Sequence, residues 1–262
     1  MRETADVETS SEGYAARFAG PVGAWMLGVQ ERSVRQLLES LPAGPILDVG
    51  GGHGQLALPL AATGREVTVL GSNAACARRL APGIAAGRVR FLAGDVLDLP
   101  IADRSFDVVL CFRLLPHCDA WERLVAELCR VARVAVIADY PTSESLNRIA
   151  PALFGAKKRL EGNTRTFTLF THREIQAAFA ASGFARSGRA GEFFLPMVLH
   201  RALGCRPCSA TLEGICRALG LSGRWGSPVV ARFERARDGN AASAGVARSG
   251  GPPAGGPQGE KM

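Results

Sequence analysis

The residues best suited to chemistry stand together at 46–54, which read Ile-Leu-Asp-Val-Gly-Gly-Gly-His-Gly. An apolar run carrying one aspartate passes directly into a turn almost free of side chains, and such a turn lets a ligand lie against the backbone. A dinucleotide site asks for Gly-x-Gly-x-x-Gly; counted from Gly50, Gly52 is in place but Gln55 stands where the third glycine belongs. A phosphate-binding loop is excluded more firmly, because no Gly-Lys-Ser or Gly-Lys-Thr follows and the phosphates would lack their lysine.

The elements that must position this turn are legible in the hydrophobic pattern. Strand-like runs at 46–49, 66–70, 89–93, 106–112 and 134–140 alternate with helix-like stretches, the signature of a parallel sheet wound with helices. Upstream, Val22, Trp25, Met26, Val29 and Ser33 recur at three and four residues, which predicts an amphipathic helix over the sheet edge or the mouth of a site. Two helix starts carry capping pairs, Asp119 with Glu122 and Thr171 with Glu174, and Gly183 is placed to end the second helix. Their apolar faces are Trp121, Leu124, Val125 and Leu128, and Ile175, Ala178 and Phe179. The dense run 193–199 reads as core, part of it a sixth strand, and 228–233 reads as a last strand. Residues 1–12 and the Gly/Ala/Pro-rich stretch 236–262 are too poor in apolar side chains to offset chain entropy and are expected to be disordered. One domain is expected over 13–235, with an N-terminal helical cap at 13–41 and a helical insertion at about 203–225.

Aspartate 48 at the end of a strand before Gly50, Gly52 and Gly54 resembles the first motif of class I S-adenosylmethionine-dependent methyltransferases. The resemblance continues through Gly94-Asp95-Val96-Leu97-Asp98-Leu99-Pro100 and Ser105-Phe106-Asp107-Val108-Val109, and spans residues 41–183. It implies an α/β fold: a doubly wound, mostly parallel seven-stranded sheet with an antiparallel last strand and helices on both faces. It also implies S-adenosyl-L-methionine as cofactor, with Asp48, Gly50, Gly52 and Gly54 at its methionine part, Asp95 beside the adenine and Val96 against the ring. The plain alternative for Asp95 is a turn residue capping a loop N–H. One position departs from the family: after the second strand an acid usually accepts both ribose hydroxyls, whereas this chain reads Val69-Leu70-Gly71-Ser72-Asn73. Ser72 or Asn73 then becomes the ribose partner, a neutral contact weaker than a charged one.

Methyl transfer requires an acceptor atom aligned with the donor methyl, and a base only where a proton must leave. Ligands of open α/β sheets sit beyond the carboxyl ends of the strands. This makes His117 the candidate base after the fourth strand, with Arg113 its cationic neighbour, and places Asp139 and Tyr140 at the end of the fifth. A capping histidine and a proline-set strand end are the plain alternatives. Arg165, with Lys157-Lys158-Arg159, falls in a segment able to close over a substrate and suits a carboxylate or phosphate, unless it is simply a solvated face. Cys205-Arg206-Pro207-Cys208 has metal-like spacing, but no second ligand pair accompanies it, so no metal is expected.

Composition limits the partners. The formal charge is +7, yet the arginines are spread along the chain without a basic run, and only two tyrosines are present, so nucleic acid is not the expected partner. No apolar stretch approaches membrane length, the first residues do not read as a secretory signal, and seven scattered cysteines suit reduced thiols; the expected compartment is the cytoplasm. The expected function is transfer of a methyl group to oxygen, carbon or nitrogen of a small molecule, such as a lipid, a quinone or an anionic metabolite. The alternatives are an RNA methyltransferase and a non-catalytic methyltransferase-like protein that binds a partner.

Overall fold

The computed structural model describes residues 3–145 and 168–236. Arg165 and the Lys157-Lys158-Arg159 cluster, like the tail from 237, lie outside the described residues. Seven strands form one sheet in the order β3-β2-β1-β4-β5-β7-β6. They are β1 Ile46–Val49, β2 Val67–Gly71, β3 Val89–Ala93, β4 Phe106–Cys111, β5 Ala132–Tyr140, β6 Phe184–Gly191 and β7 Val229–Arg235. β1 through β5 pair in parallel, and β7 runs antiparallel between β5 and β6.

Why these residues make a two-sided sheet follows from burial. All residues of β1 and β2 are buried, so side chains of alternate parity serve opposite faces. Leu47, Val49, Val109, Val136 and Ala138 join one apolar cluster, which contains Leu124, Leu128, Ile175 and Phe179. Ile46, Val108, Leu110 and Ile137 join another with Val34, Leu37, Leu56 and Leu60. The first face is covered by α6 Trp121–Val131 and α7 His172–Ala181, the second by α3 Gly20–Leu38 and α4 Ala57–Ala62. The short helix α5 Ala81–Ala85 precedes β3. Phe179 stacks on Phe233 with centroids 3.8 Å apart, which ties α7 to the antiparallel strand β7.

Several local expectations meet a different outcome. Thr171 and Glu174 do form a reciprocal capping box, whereas Asp119 does not cap α6, whose N-cap is Ala120 without a side-chain bond. β6 lies at Phe184–Gly191, upstream of the run read as a strand; that run instead leads into α8 Met197–Leu203, because Pro196 fixes the entry to a helix there. The insertion is helical, with α9 Arg206–Ala218 and α10 Leu221–Trp225 following α8. Cys205 and Cys208 are joined as a disulfide at the start of α9, their Cα atoms 5.4 Å apart, where free thiols were expected.

The first residues are the main correction. Far from being without structure, they form α1 Ala5–Thr9 and α2 Glu12–Ala16, and Ala5 and Asp6 are buried. Tertiary packing supplies what a short polar segment lacks by itself: Ala5 joins the core cluster, and Asp6 finds buried donors on β2's tip.

Candidate functional site

The turn after β1 is built as its composition requires. Gly50 and Gly54 have φ of 77° and 76°, the left-handed conformation glycine adopts without penalty, and they bracket a 3-10 turn at Gly51–His53. A β-carbon on Gly51 would run into the Asp48 carboxylate, so only a glycine lets the acid fold over the turn. The Asp48 carboxyl is pushed up to about 7 by burial and by neighbouring Asp139.

Beside this turn lies a small cavity lined by Thr9, Asp48, Gly50, His53, Phe112 and Arg113 among others. Arg113 follows β4 with φ 59°, a strained left-handed conformation for a residue with a side chain. It is held there by its own N–H donating to Asp139 Oδ1 at 2.6 Å, while Nη2 donates to Gln30 Oε1 at 3.1 Å. Gln30, from α3, donates through Nε2 to Asp139 Oδ2 at 3.2 Å and accepts from Gln55. The guanidinium also sits 4.1 Å from the Phe18 ring centroid, a cation–π contact.

Three buried carboxyls gather here: after burial itself, the charge of Asp139 raises both Asp48 and Glu192, while Arg113 opposes the rise at Asp139 and, with Arg217, at Glu192. Burial raises Asp139 to about 6, opposed by Arg113. Glu192 rises to about 8 through burial and the charge of Asp139. Burial, Arg113 and Arg79 lower His53 to about 4, so its imidazole is neutral at neutral pH. Around the group, Asp48 Oδ1, both His53 ring nitrogens, Gln55 Oε1, Arg113 Nη1 and Glu192 Oε1 are buried without a hydrogen-bond partner. Buried polar atoms left unmade are costly, and clustered at one strand edge they mark groups arranged for a ligand.

The structure brings Asp48, the glycines, Arg113 and Asp139 together and separates the other candidates. Tyr140 points the other way along β5: its hydroxyl hydrogen-bonds His172 Nδ1 at 3.0 Å and its ring packs on Phe170. The one-residue alternation of a strand puts Asp139 in the site and Tyr140 in the opposite core. His117 ends a 3-10 turn beyond Arg113 and does not line this cavity. Val96 is fully buried, and Asp95 Oδ1 accepts the Leu97 N–H at 2.9 Å, the capping geometry of a turn aspartate. Ser72 offers its N–H and hydroxyl at the tip of β2, and both already donate to Asp6. A side chain at Gly71 would meet Cys76 Cβ at 2.7 Å, which gives a steric reason for the missing acid.

Gln30, His53, Gln55 and Glu192 were not singled out from sequence. Gln30 carried a usable signal, being a polar residue one position after Val29 on the buried side of α3; Glu192 carried none, since its burial depends on the turn out of β6.

A doubly wound seven-stranded sheet with its antiparallel strand inserted next to last, and a glycine turn after β1 overhung by an acid, defines the Rossmann-like methyltransferase class. The chain belongs to the class I S-adenosylmethionine-dependent methyltransferases, whose cofactor is S-adenosyl-L-methionine. Residues 47–135 match the family model described as a methyltransferase domain. Among curated relatives, a ubiquinone biosynthesis O-methyltransferase of Sinorhizobium medicae is 32% identical over 62% of this chain and 67% of its own length. A malonyl-acyl-carrier-protein O-methyltransferase of Pectobacterium atrosepticum is 31% identical over 57% of this chain, which spans 59% of that enzyme's length. Among solved structures, magnesium protoporphyrin IX methyltransferase from Synechocystis with bound S-adenosylhomocysteine shares the fold at a TM-score of 0.60 and 15% identity, over 87% of this chain and 96% of the other.

The residues present fit this cofactor in kind. The side-chain-free turn, the overhanging Asp48 and the donors of Ser72 are the groups that would hold its amino-acid tail and its nucleoside. No helix among the described residues is long and apolar enough to cross a membrane, and no group of ligating side chains among them is arranged for a metal ion.

Proposed function

We propose that this chain transfers a methyl group from S-adenosyl-L-methionine to an oxygen of a small anionic acceptor, most simply a carboxylate. The observation that carries this reading is the Arg113 guanidinium, whose Nη1 is buried and unpaired beside the cavity while its strained backbone is fixed by Asp139. A half-satisfied guanidinium next to the cofactor turn is the natural partner of a carboxylate, which accepts charge-assisted hydrogen bonds. Bound cofactor supplies an electrophilic methyl group. The protein's part is then to hold the acceptor oxygen in line with it and to keep water away.

In this reading Arg113 binds and orients the acceptor, and Asp139 with Gln30 holds Arg113 in place. An ionised carboxylate needs no base, which agrees with His117 standing apart from the cavity. His53, lowered to about 4 by burial and by Arg113 and Arg79, is too weak a base to take a phenolic proton, which leaves the carboxylate as the favoured acceptor. The relatives named for malonyl-acyl-carrier protein and ubiquinone biosynthesis are O-methyltransferases, in line with oxygen as the acceptor atom.

The test is a panel of carboxylate and phenol acceptors incubated with methyl-labelled S-adenosylmethionine, run with wild type and Arg113→Lys. Label on carboxylates that drops sharply in the variant supports the proposal. Label on phenols alone, unaffected by Arg113→Lys, moves the reading to the phenol. No transfer to any oxygen acceptor by a folded protein that binds cofactor overturns it.

A further inference from the structure

The helix α1 lies where the cofactor must lie. Asp6 is fully buried, and its Oδ2 and Oδ1 accept the Ser72 N–H and the Ser72 hydroxyl, each at 2.5 Å. The Cys76 thiol is 3.4 Å from the same carboxylate. A β-carbon on Gly50 would lie 3.6 Å from Asp6 Cβ, and one on Gly52 would overlap Ser10 Oγ. Thr9 completes the wall of the cavity, in which about 10 Å³ remains, room for about one water molecule. Residues of this chain thus fill the space between the tips of β1 and β2 that the fold otherwise reserves for the nucleoside.

We propose that residues 5–10 are an intramolecular plug of the cofactor site, with the Asp6 carboxylate standing in for the ligand on Ser72, and that cofactor binds by expelling them. The inference rests on the cofactor reading of this site. Its physical basis is that the plug is a short helix held by its surroundings rather than by its own turns. α1 has five residues, too few to be stable alone, although Glu3 Oε1 accepts the Thr4 and Ala5 N–H groups at its start. Beyond Ala5 in the core and Asp6 on Ser72, the segment 3–16 is held by Tyr14, whose ring meets His53 edge-on with centroids 6.0 Å apart and lies 5.9 Å from the Arg113 guanidinium, and by the surface ion pairs Glu8 to Arg17 and Glu12 to Arg79. Apparent cofactor affinity is then the intrinsic affinity reduced by the fraction of molecules with the plug out. Gly71 fits the same arrangement, since an acid at that position would set a second negative charge against Asp6.

The test uses S-adenosylhomocysteine as probe on wild type and Asp6→Ala, with thermal unfolding as the control for folding. Calorimetry is expected to give about ten-fold tighter binding for Asp6→Ala, the loss of hydrogen bonds to a charged group being transferred to the open state. Hydrogen exchange over residues 5–10 of wild type is expected to speed up when the probe is added. Weaker binding by Asp6→Ala, or slower exchange over 5–10 with the probe, overturns the plug and makes Asp6 part of the liganded site instead. If neither protein binds the probe although Cys76 becomes open to alkylation in Asp6→Ala, the cofactor reading itself fails and competition with cofactor falls with it.

Discussion

Two regions of the same sheet edge differ in how their polar groups are satisfied. At the tip of β2, the two Ser72 donors already have a partner in the chain: Ser72 gives both its N–H and its hydroxyl to Asp6. Around the tips of β1, β4 and β5, by contrast, Asp48, Gln55, Arg113 and, from the turn out of β6, Glu192 each keep a buried atom unpaired, and burial and the Asp139 charge raise two neighbouring carboxyls. The first region is quiet without ligand, whereas the second is poised at a cost, which is where binding energy for a charged ligand is stored. A site read only from its family glycines would miss this division.

The comparison breaks most visibly at Arg113. Arg113→Ala is expected to lower turnover by about 100-fold, the scale of a lost charge-assisted contact, with cofactor affinity little changed; steady-state kinetics and calorimetry separate the two. Arg113→Gly sharpens the point, because glycine accepts a φ of 59° without strain. That variant should be as inactive as Arg113→Ala but more stable than it by about 1 kcal/mol in denaturant unfolding.

Asp48→Asn is expected to weaken S-adenosylhomocysteine binding by roughly ten-fold or more, read by calorimetry, since it removes the charge beside the turn. The same carboxyl sets a pH dependence. Asp48, Asp139 and Glu192 have folded values raised to about 7, 6 and 8, above their ordinary range, so they hold more protons in the folded chain than in the unfolded one between about pH 4 and 8. These three carboxyls therefore contribute stability that falls as pH rises through that window; His53 and His172, both lowered by burial, oppose the fall below about pH 6.5, so the decline is steepest above it. The slope is up to about 1.4 kcal/mol per pH unit for each proton held. Thermal unfolding at pH 6.5 and pH 8 checks this, and Asp48→Asn should flatten the decline; a rise in stability between those values would refute the crowded-carboxyl account.

The smallest effects belong to groups outside the site. Thr171→Ala removes one half of a capping box and should cost about 1 kcal/mol of stability with no change in kcat. Tyr140→Phe loses the bond to His172 and should likewise cost about 1 kcal/mol while leaving activity intact. A large loss of activity in Tyr140→Phe would show that the two faces of β5 are not divided as described.

Much of this protein was set by local rules acting on its sequence. Strands with both faces buried read as continuous apolar runs, Gly50 and Gly54 read as a turn because no other residue takes positive φ so cheaply, and Thr171-x-x-Glu174 read as a helix start. Asp48 and Arg113 fell at strand ends, where an open α/β sheet binds its ligand. Other features depend on residues far apart in the chain. Asp6 meets Ser72 across 66 positions and Arg113 reaches Gln30 across 83, and no periodicity records such a meeting. The same holds for the split between Asp139 and Tyr140, which needs the strand's exact register to decide which side chain faces the site. Sequence determined the sheet and its glycine turn because these answer to local propensity and hydrophobic pattern; only the tertiary structure decided which charges share the site and that the first helix fills it, because burial of a charge is a property of its surroundings.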